Sequence, residues 1–352
     1  MTVPPTNDED RNPNATELKD DVSAREVDDH SGTGVPSQRS EEQGFSVKAR
    51  TQRELVLRRF LRHRAAMVAL FLFVAIVVLA VSSIGAGPIP GWWDKSYLTT
   101  GAVVDGGRPT LDVLPAFVDG DGLAWGEHPF GQDSVGRDYF ATTMRGAQQS
   151  LQIALLVGLV STFVGTVVGA VAGYFGGLAE TGLMRVVDVI IAIPLLVLAA
   201  VVARGTDGTA IVLGLFLGIV VWTSLARLIR GEVLSLKERE FVEAARAMGA
   251  SPFRIITRHV LPNTVSTIIV NATLTIAAAI LLETALSFLG FGVQPPDTSL
   301  GRLISTYQTA FATRPWLFWF PGLFIIGIAL TINFIGDGLR DAFDPRQNKV
   351  RA

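Results

Sequence analysis

Six long apolar runs, separated by polar segments, dominate the chain from residue 65 onward. A run of about 18 or more apolar residues with few charges is long enough to cross a bilayer as a helix. Runs this continuous satisfy their backbone groups within lipid as α-helices, not as barrel strands. The pattern therefore predicts an all-α polytopic membrane protein with about six transmembrane helices. The runs cover residues 65–84, 151–174, 184–203, 209–226, 264–290 and 316–335.

The distribution of Lys and Arg predicts the orientation of these spans. Arg58, Arg59, Arg62 and Arg64 crowd the start of the first span, which indicates a cytoplasmic N-terminus. Six crossings then place the Arg-rich segment 227–262 and the C-terminus in the cytoplasm as well. We therefore expect a multi-pass protein of the cytoplasmic (plasma) membrane with both termini inside.

The same pattern divides the rest of the chain. Residues 1–47 hold few large apolar side chains and many Asp, Glu, Ser, Asn and Pro, which predicts a disordered cytoplasmic tail. Residues 48–64 are basic with interspersed Leu and Phe, which predicts an interfacial helix at the lipid headgroups, the alternative being a simple basic flank. Residues 85–145 are expected to form an extracytoplasmic segment, 146–338 the transmembrane core with a cytoplasmic loop at 235–262, and 339–352 a cytoplasmic tail.

The outer segment holds a few interpretable features. Trp92 and Trp93 are typical of a membrane-interface belt. The run Asp119–Gly122 lacks a complete calcium loop and is interpreted as a plain turn. Asp133 is expected to cap a helix that continues into the second span, with Arg137 and Asp138 as local pairing groups.

Glycines recur every fourth position within two of the runs. Such spacing lets helix backbones approach closely, which indicates ordinary packing within one bundle. The glycines are Gly165, Gly169 and Gly173 in the second span, and Gly214 and Gly218 in the fourth.

Composition excludes several classes of chemistry. The chain has no cysteine, so disulfides, thiolate nucleophiles and Cys-based metal sites are excluded. The net charge of −2 gives no case for nucleic acid binding, and the four histidines show no metal-ligand spacing. The GxxxxGK[ST], HExxH and GxSxG patterns are absent. We therefore expect no metal, cofactor or catalytic residue in this chain.

The cytoplasmic segment around residues 240–262 carries unusually strong local signals. Ser235 is expected to cap a first helix, with Glu238 as its capping-box partner. Gly249 stands where a left-handed residue would end that helix. Ser251 caps a second helix that begins at Pro252. Because Pro262 disfavours helix in the residue before it, the second helix is expected to end near Val260.

Each half of this helix–glycine–helix is amphipathic. Phe241, Ala244, Ala245 and Met248 share one face of the first half. The second half places Phe253, Ile256 and Val260 on one face. A short loop would be enough to connect two spans, so a rigid amphipathic segment indicates that a partner protein docks there. The alternative is a packed connector that binds no partner.

These residues carry a family resemblance. The sequence Glu243-Ala244-Ala245, then Gly249, then Leu261-Pro262 resembles the EAA loop of permease subunits of binding-protein-dependent ABC importers. The general pattern has an aliphatic residue at the position of His259. A histidine there resembles the dipeptide/oligopeptide branch of the family. Further matches extend the resemblance over about 60–346 and indicate the C-type permease. They are HPFGQDSVGRD (128–138), AGYFGG (172–177), MRVVDVIIAIP (184–194), ALSFLGFGVQPP (285–296) and GDGLRDAFDPR (336–346).

The resemblance implies the type I importer (MetI-like) permease fold and a set of partners. These are a homologous second permease, two cytoplasmic ATPase subunits that use ATP and Mg²⁺, an extracytoplasmic solute-binding protein, and membrane lipid. It further implies that the EAA loop is the coupling helix against an ATPase. The residues assigned to coupling are Glu243, Ala244, Ala245, Gly249, Ser251, Arg254, Leu261 and Pro262.

Polar residues within the spans are costly and invite functional interpretation. Asp188 is expected near the inner end of the third span, paired with Arg185, and Glu283 toward the outer end of the fifth. Asn271, Thr275 and Asn333 complete the set. These residues either line the translocation pathway or make polar contacts between helices.

Two other classes of function remain as alternatives. An ion-coupled carrier or channel would work without an ATPase, and an intramembrane enzyme would need a catalytic constellation that the spans lack. The cargo stays open among dipeptides, oligopeptides, nickel complexes and sugars.

Overall fold

The computed structural model describes residues 52–111, 125–204 and 208–343. The predictions for 1–47, for Asp119–Gly122 and for the end of the C-terminal tail lie outside these residues. Twelve α-helices make up almost all regular structure of the described chain. They are α1 Gln52–Arg62, α2 Arg64–Ile84, α3 Tyr139–Phe175, α4 Gly177–Ala192, α5 Leu195–Arg204, α6 Ala210–Val221, α7 Thr223–Leu236, α8 Glu240–Ala247, α9 Pro252–Ile255, α10 Leu261–Phe288, α11 Leu300–Tyr307 and α12 Trp316–Phe343.

Within the described ranges, four helices are long and apolar enough to cross a membrane. Two bent pairs raise the number to six if each pair is one span. The single helices are α2, α3, α12 and the continuous helix Pro252–Phe288, and the pairs are α4 with α5 and α6 with α7. The all-α polytopic prediction is therefore confirmed.

The third span is broken, whereas its apolar run predicted a continuous helix. α4 and α5 meet at an angle of 83°. Pro194 follows Ile193, which has the extended conformation that the residue before a proline prefers. Because proline also lacks the amide hydrogen that would continue the ladder, α4 ends at this point. The fourth span bends by 40° between α6 and α7.

α3 lies at the centre of the bundle because the glycines admit its neighbours. A Cβ at Gly169 would lie 2.6 Å from the Ala226 carbonyl oxygen, and one at Gly173 would lie 2.8 Å from that of Arg230. These contacts bring α7 against α3. A Cβ at Gly218 on α6 would lie 2.6 Å from Val160 Cβ on α3. The prediction of close helix packing at the glycine stripes is confirmed.

The cap of α3 is Asp138, so the prediction that Asp133 fills this role is wrong. Asp138 Oδ1 accepts a hydrogen bond from the Ala141 amide at 2.8 Å. Asp133 Oδ1 instead accepts from the amides of Val135 and Arg137, each at 2.9 Å, and closes a turn before the helix. α3 thus begins at Tyr139, and the last residues assigned to the outer segment, 139–145, are helical.

Aromatic side chains organise the part of the outer segment that the structure describes. Trp92, Trp93 and Trp125 surround Phe140, with ring centroids 5.0–6.1 Å from that of Phe140. Trp93 Nε1 also donates to Asp138 Oδ1 at 3.1 Å. A short β-hairpin connects the end of α2 to this cluster. Its two antiparallel strands are β1 Gly85–Ala86 and β2 Ile89–Pro90.

α1 packs against the end of α12. Phe60 and Ala66 are buried with Ala342, while Leu57 and Leu61 remain 59% and 53% exposed. The intervening His63 caps α2 through Nδ1, and its Nε2 lies 3.4 Å from the carboxylate of Asp341. α12 continues to Phe343, so residues 339–343 of the predicted C-terminal tail are helical.

Candidate functional site

The segment between α7 and α10 folds as two short helices around a glycine. α8 ends in a Schellman motif, in which the Gly249 amide donates to the Arg246 carbonyl and the Ala250 amide to the Ala245 carbonyl. Gly249 has φ +80°, the left-handed conformation that the sequence predicted there. Ser251 then accepts from the Arg254 amide at 3.4 Å, and Pro252 opens α9. The central turn and second cap are confirmed.

Two of the predicted boundaries are wrong. Ser235 lies inside α7, and α8 is preceded by Arg239, which makes no side-chain cap. α7 continues past Ser235 because its apolar face is packed there, which outweighs a local capping signal. The second helix also passes Val260 without ending.

A π-turn over Ile256–Val260 joins α9 directly to α10. The Leu261 amide donates to the Ile256 carbonyl, five residues back, and Leu261 is itself helical. This wider turn relieves the clash that the ring of Pro262 would otherwise make with the carbonyl four residues before it. α9, the π-turn and α10 therefore form one continuous helix of 37 residues.

One side of the segment is fixed to the bundle. Val242 and Ala245 on α8, with Ile255 and Val260 beyond the turn, are 0–2% exposed. They pack against apolar side chains of α3 and α7 in one cluster, which includes Ala170, Leu225, Ile229 and Val233. The segment is thus a rigid part of the fold.

The other side is exposed and apolar at three positions. Met248, Phe253 and Phe241 are 81%, 77% and 42% exposed. Ala244, Glu243 and Arg254 are exposed beside them. We call Phe241, Glu243, Ala244, Met248 and Phe253 the coupling surface. Large apolar side chains held rigidly in the open are typical of a protein-interaction site.

The apolar residues predicted to share one face of each short helix therefore point in two directions, some into the bundle and some away from it. Of the face predicted on α8, Ala245 packs inward, while Phe241, Ala244 and Met248 point outward. In the second half, Val260 packs inward and Phe253 outward. Of the remaining EAA-type residues, Gly249, Ser251 and Pro262 are exposed, and Leu261 is half-buried beside the apolar cluster.

The intramembrane polar residues lie apart from this surface. Asp188 pairs with Arg227 of α7, with Oδ1 and Nη2 2.6 Å apart, so the expected pairing with Arg185 is wrong. Arg185 lies three positions before Asp188 on the same helix, but Arg227 on the facing helix α7 is the residue that reaches the carboxylate. Asn271 donates to the Thr267 carbonyl of its own helix at 3.0 Å. Thr275 and Asn333 are half-buried.

Glu283 is wholly inside the chain. Its carboxylate accepts hydrogen bonds from Ser150 of α3 at 3.1 Å, Ser287 of α10 at 2.6 Å and Ser299 at 2.5 Å. Ser299 caps α11, and the Leu300 amide donates to Ser150 Oγ at 3.1 Å. Glu283 therefore connects α10, α3 and the start of α11.

The sequence did not reveal a second outer network. Arg145 Nε and Nη2 donate to the two carboxylate oxygens of Asp297 at 2.7 and 2.8 Å, and Gln149 donates to the same carboxylate. This bidentate pair fixes the loop between α10 and α11 on α3. Its partners are 152 positions apart, so no local signal could have joined them. Within the described residues, no group of three or more His, Asp or Glu side chains is arranged to hold a metal ion.

Comparison with known proteins identifies the family. The model for the inner membrane component of binding-protein-dependent transport systems matches residues 165–349, which include the coupling surface. The chain belongs to this family. A second model, for the N-terminal transmembrane domain of oligopeptide transport permease C, matches residues 51–89 and thus α1 and α2 of this transport component.

Relatives cover nearly the whole permease. It is 41% identical over 304 residues to the oligopeptide transport system permease protein OppC of Mycobacterium tuberculosis H37Rv, a match over 86% of this chain and 97% of that protein. It is 34% identical over 302 residues to OppC of Escherichia coli K12, covering 86% and 94% of the two chains. An inward-facing structure of the MetNI methionine ABC transporter matches with a TM-score of 0.44 and 22% identity, over 58% of this chain and 97% of that one.

Proposed function

We propose that this permease is the C-type subunit of an ATP-driven importer of dipeptides or oligopeptides. It forms half of the translocation pathway beside a homologous second permease. An extracytoplasmic binding protein delivers the peptide, and two cytoplasmic ATPase subunits use ATP and Mg²⁺. The names of the relatives support the peptide cargo. The observation that carries the mechanism is the exposed coupling surface on a rigid frame.

The proposed docking follows from the chemistry of that surface. Phe253 and Met248 present large apolar side chains that a groove on an ATPase would bury, and apolar burial is the main favourable term in association. Ala244 is exposed one helical turn before Met248 and is small enough for close approach of the two backbones. Glu243 and Arg254 are exposed at its edge, where charges select the partner and its register.

ATPase closure would then move the bundle because the coupling surface cannot move alone. Val242 and Ala245 hold α8 on the apolar cluster that α3 and α7 form, and Ile255 holds the second half on the same cluster. A force on the surface is therefore passed to α3, α7 and α10. Such an element can bias the spans between inward- and outward-facing states.

Replacing the two most exposed apolar residues tests this proposal. The double variant Met248→Glu/Phe253→Glu should insert normally, because both side chains point away from the bundle. We expect at least a tenfold loss of co-purified ATPase and of ATP-dependent peptide uptake. Leu98→Glu, which places the same charge on an exposed leucine of the outer segment, is the matched control. Full ATPase retention by the double variant would contradict the assignment and favour an ATPase-independent carrier.

We further propose that both termini are cytoplasmic and that α1 lies at the inner headgroups with Leu57 and Leu61 toward the acyl chains. Since the chain has no cysteine, single introduced cysteines report each side of the membrane. An impermeant maleimide should label Ser134→Cys in intact cells and Thr257→Cys only after permeabilisation. The reverse pattern would invert the topology. Quenching of a fluorophore at position 57 by brominated lipid measures the depth of α1.

A further inference from the structure

α4 is weakly held by the rest of the chain. Of its 16 residues, only Val187 is buried. Val187 and Met184 pack on Trp222 and Ala226, near the bend between α6 and α7. α4 therefore rests on α7 with few apolar contacts.

Two ion pairs bridge α4 to α7. Arg230 Nε donates to Glu180 Oε1 at 2.6 Å, and Arg230 Nη2 contacts the same oxygen. Arg227 Nη2 lies 2.6 Å from Asp188 Oδ1. A cleft of about 420 Å³ lies between the two helices, lined by these four side chains with Thr181 and Met184. The charged residues span this cleft where apolar packing is missing.

The two helices lead to different parts of the transport component. α7 ends at Leu236, directly before α8 and the coupling surface. α4 continues through the break at Pro194 into α5. The ion pairs are therefore a direct polar connection, within the described residues, from the element that precedes the coupling surface to the broken span.

We propose that Glu180, Asp188, Arg227 and Arg230 are positioning residues that form a strut between α7 and α4, so that movement of the coupling surface also moves the broken span. This inference rests on the proposed function, because it needs an ATPase to move α7. The pairs are one-fifth to one-half exposed, and exposed pairs contribute little to folding stability. Their loss should therefore change how α4 follows α7 while leaving the fold intact.

Charge removal and charge exchange in the assembled importer test the strut. Glu180→Gln and Arg230→Gln should retain the ATPase and hydrolyse ATP, but peptide uptake per ATP hydrolysed should fall at least fivefold. The exchanged pair Glu180→Arg/Arg230→Glu should recover to within about twofold of the unaltered importer. Asp341→Asn removes the carboxylate that lies 3.4 Å from His63 Nε2 and is the matched control, with normal uptake per ATP.

A distance measurement separates movement from a local defect. Gly182 on α4 and Gly231 on α7 both face open space, so cysteines there accept spin labels without clashes. In the assembled complex, the distance between the labels should stay constant between nucleotide-free and ATP-bound states. In the double variant Glu180→Gln/Asp188→Asn, the distribution of distances between the two labels should broaden.

Three results would overturn the strut. They are unchanged uptake per ATP in the single variants, an exchanged pair no better than either single variant, and a label distance that changes by several ångströms in the unaltered complex. If the unaltered protein retains no ATPase, both the proposed function and the strut are overturned. If the ATPase is retained and any of the three results is found, the strut alone is overturned.

Discussion

Gly249→Val should abolish peptide uptake and ATPase stimulation while the protein still inserts into the membrane. Gly249 has φ +80°, and a Cβ added there would meet nothing within 4 Å. The defect would therefore come from the backbone and not from a clash. A β-branched residue in the left-handed region costs about 1–3 kcal/mol, so the chain would leave the Schellman turn. α8 would then lose its angle to α9.

Two control variants separate backbone strain from added volume. Gly231, in the middle of α7, also faces open space but has no positive φ, so Gly231→Val should keep both activities. Gly249→Asn should keep part of them, because asparagine tolerates the left-handed conformation. Uptake and ATP hydrolysis in proteoliposomes are the measurements. Normal uptake by Gly249→Val would show that the turn geometry is dispensable.

Glu283→Gln should lower the thermal stability of the purified protein by several degrees. The carboxylate accepts hydrogen bonds from three serine hydroxyls. An amide keeps its oxygen toward Ser287 and Ser299 but turns its NH₂ toward Ser150, whose hydroxyl then loses the carboxylate acceptor that it has in the structure. An unsatisfied buried donor costs about 1–3 kcal/mol.

The series at position 283 has a defined order. Glu283→Ala should be more destabilised than Glu283→Gln, since it leaves all three hydroxyls without the carboxylate and opens a cavity. Glu54→Gln, which removes an exposed carboxylate from α1, should leave the melting temperature unchanged. Because Glu283 lies inside the chain, assembly with partner subunits should persist. Equal melting temperatures for all three variants would contradict the stabilising role of Glu283 that its contacts indicate.

Periodicity and local chemistry predicted those parts of the fold that depend on neighbouring residues. The apolar run 65–84 gave α2 almost to the residue, and the signals at Gly249 and Ser251 gave the turn and the cap after it. These features depend on side chains within a few positions of each other. Tertiary packing does not alter them, so the sequence alone was sufficient.

Features set by facing helices were not accessible in the same way. The capping signal at Ser235 failed because packing extends α7, and Asp188 pairs across to Arg227, 39 positions away. Pro262 was interpreted as a helix end, but the π-turn before it absorbs the missing amide. In each case the local rule was sound, and a contact or a register change elsewhere in the fold outweighed it.

The π-turn has a mechanical consequence. Since α9, Ile256–Val260 and α10 form one helix of 37 residues, the rod is about 55 Å long at 1.5 Å per residue. One end carries Phe253, and near the other end Glu283 connects it to the start of α11. A tilt of about 5° around one end would displace the other by about 5 Å, from the same length and rise. If an ATPase docks at the Phe253 end as proposed, a tilt of this size would displace the opposite end of the helix by about the width of a side chain.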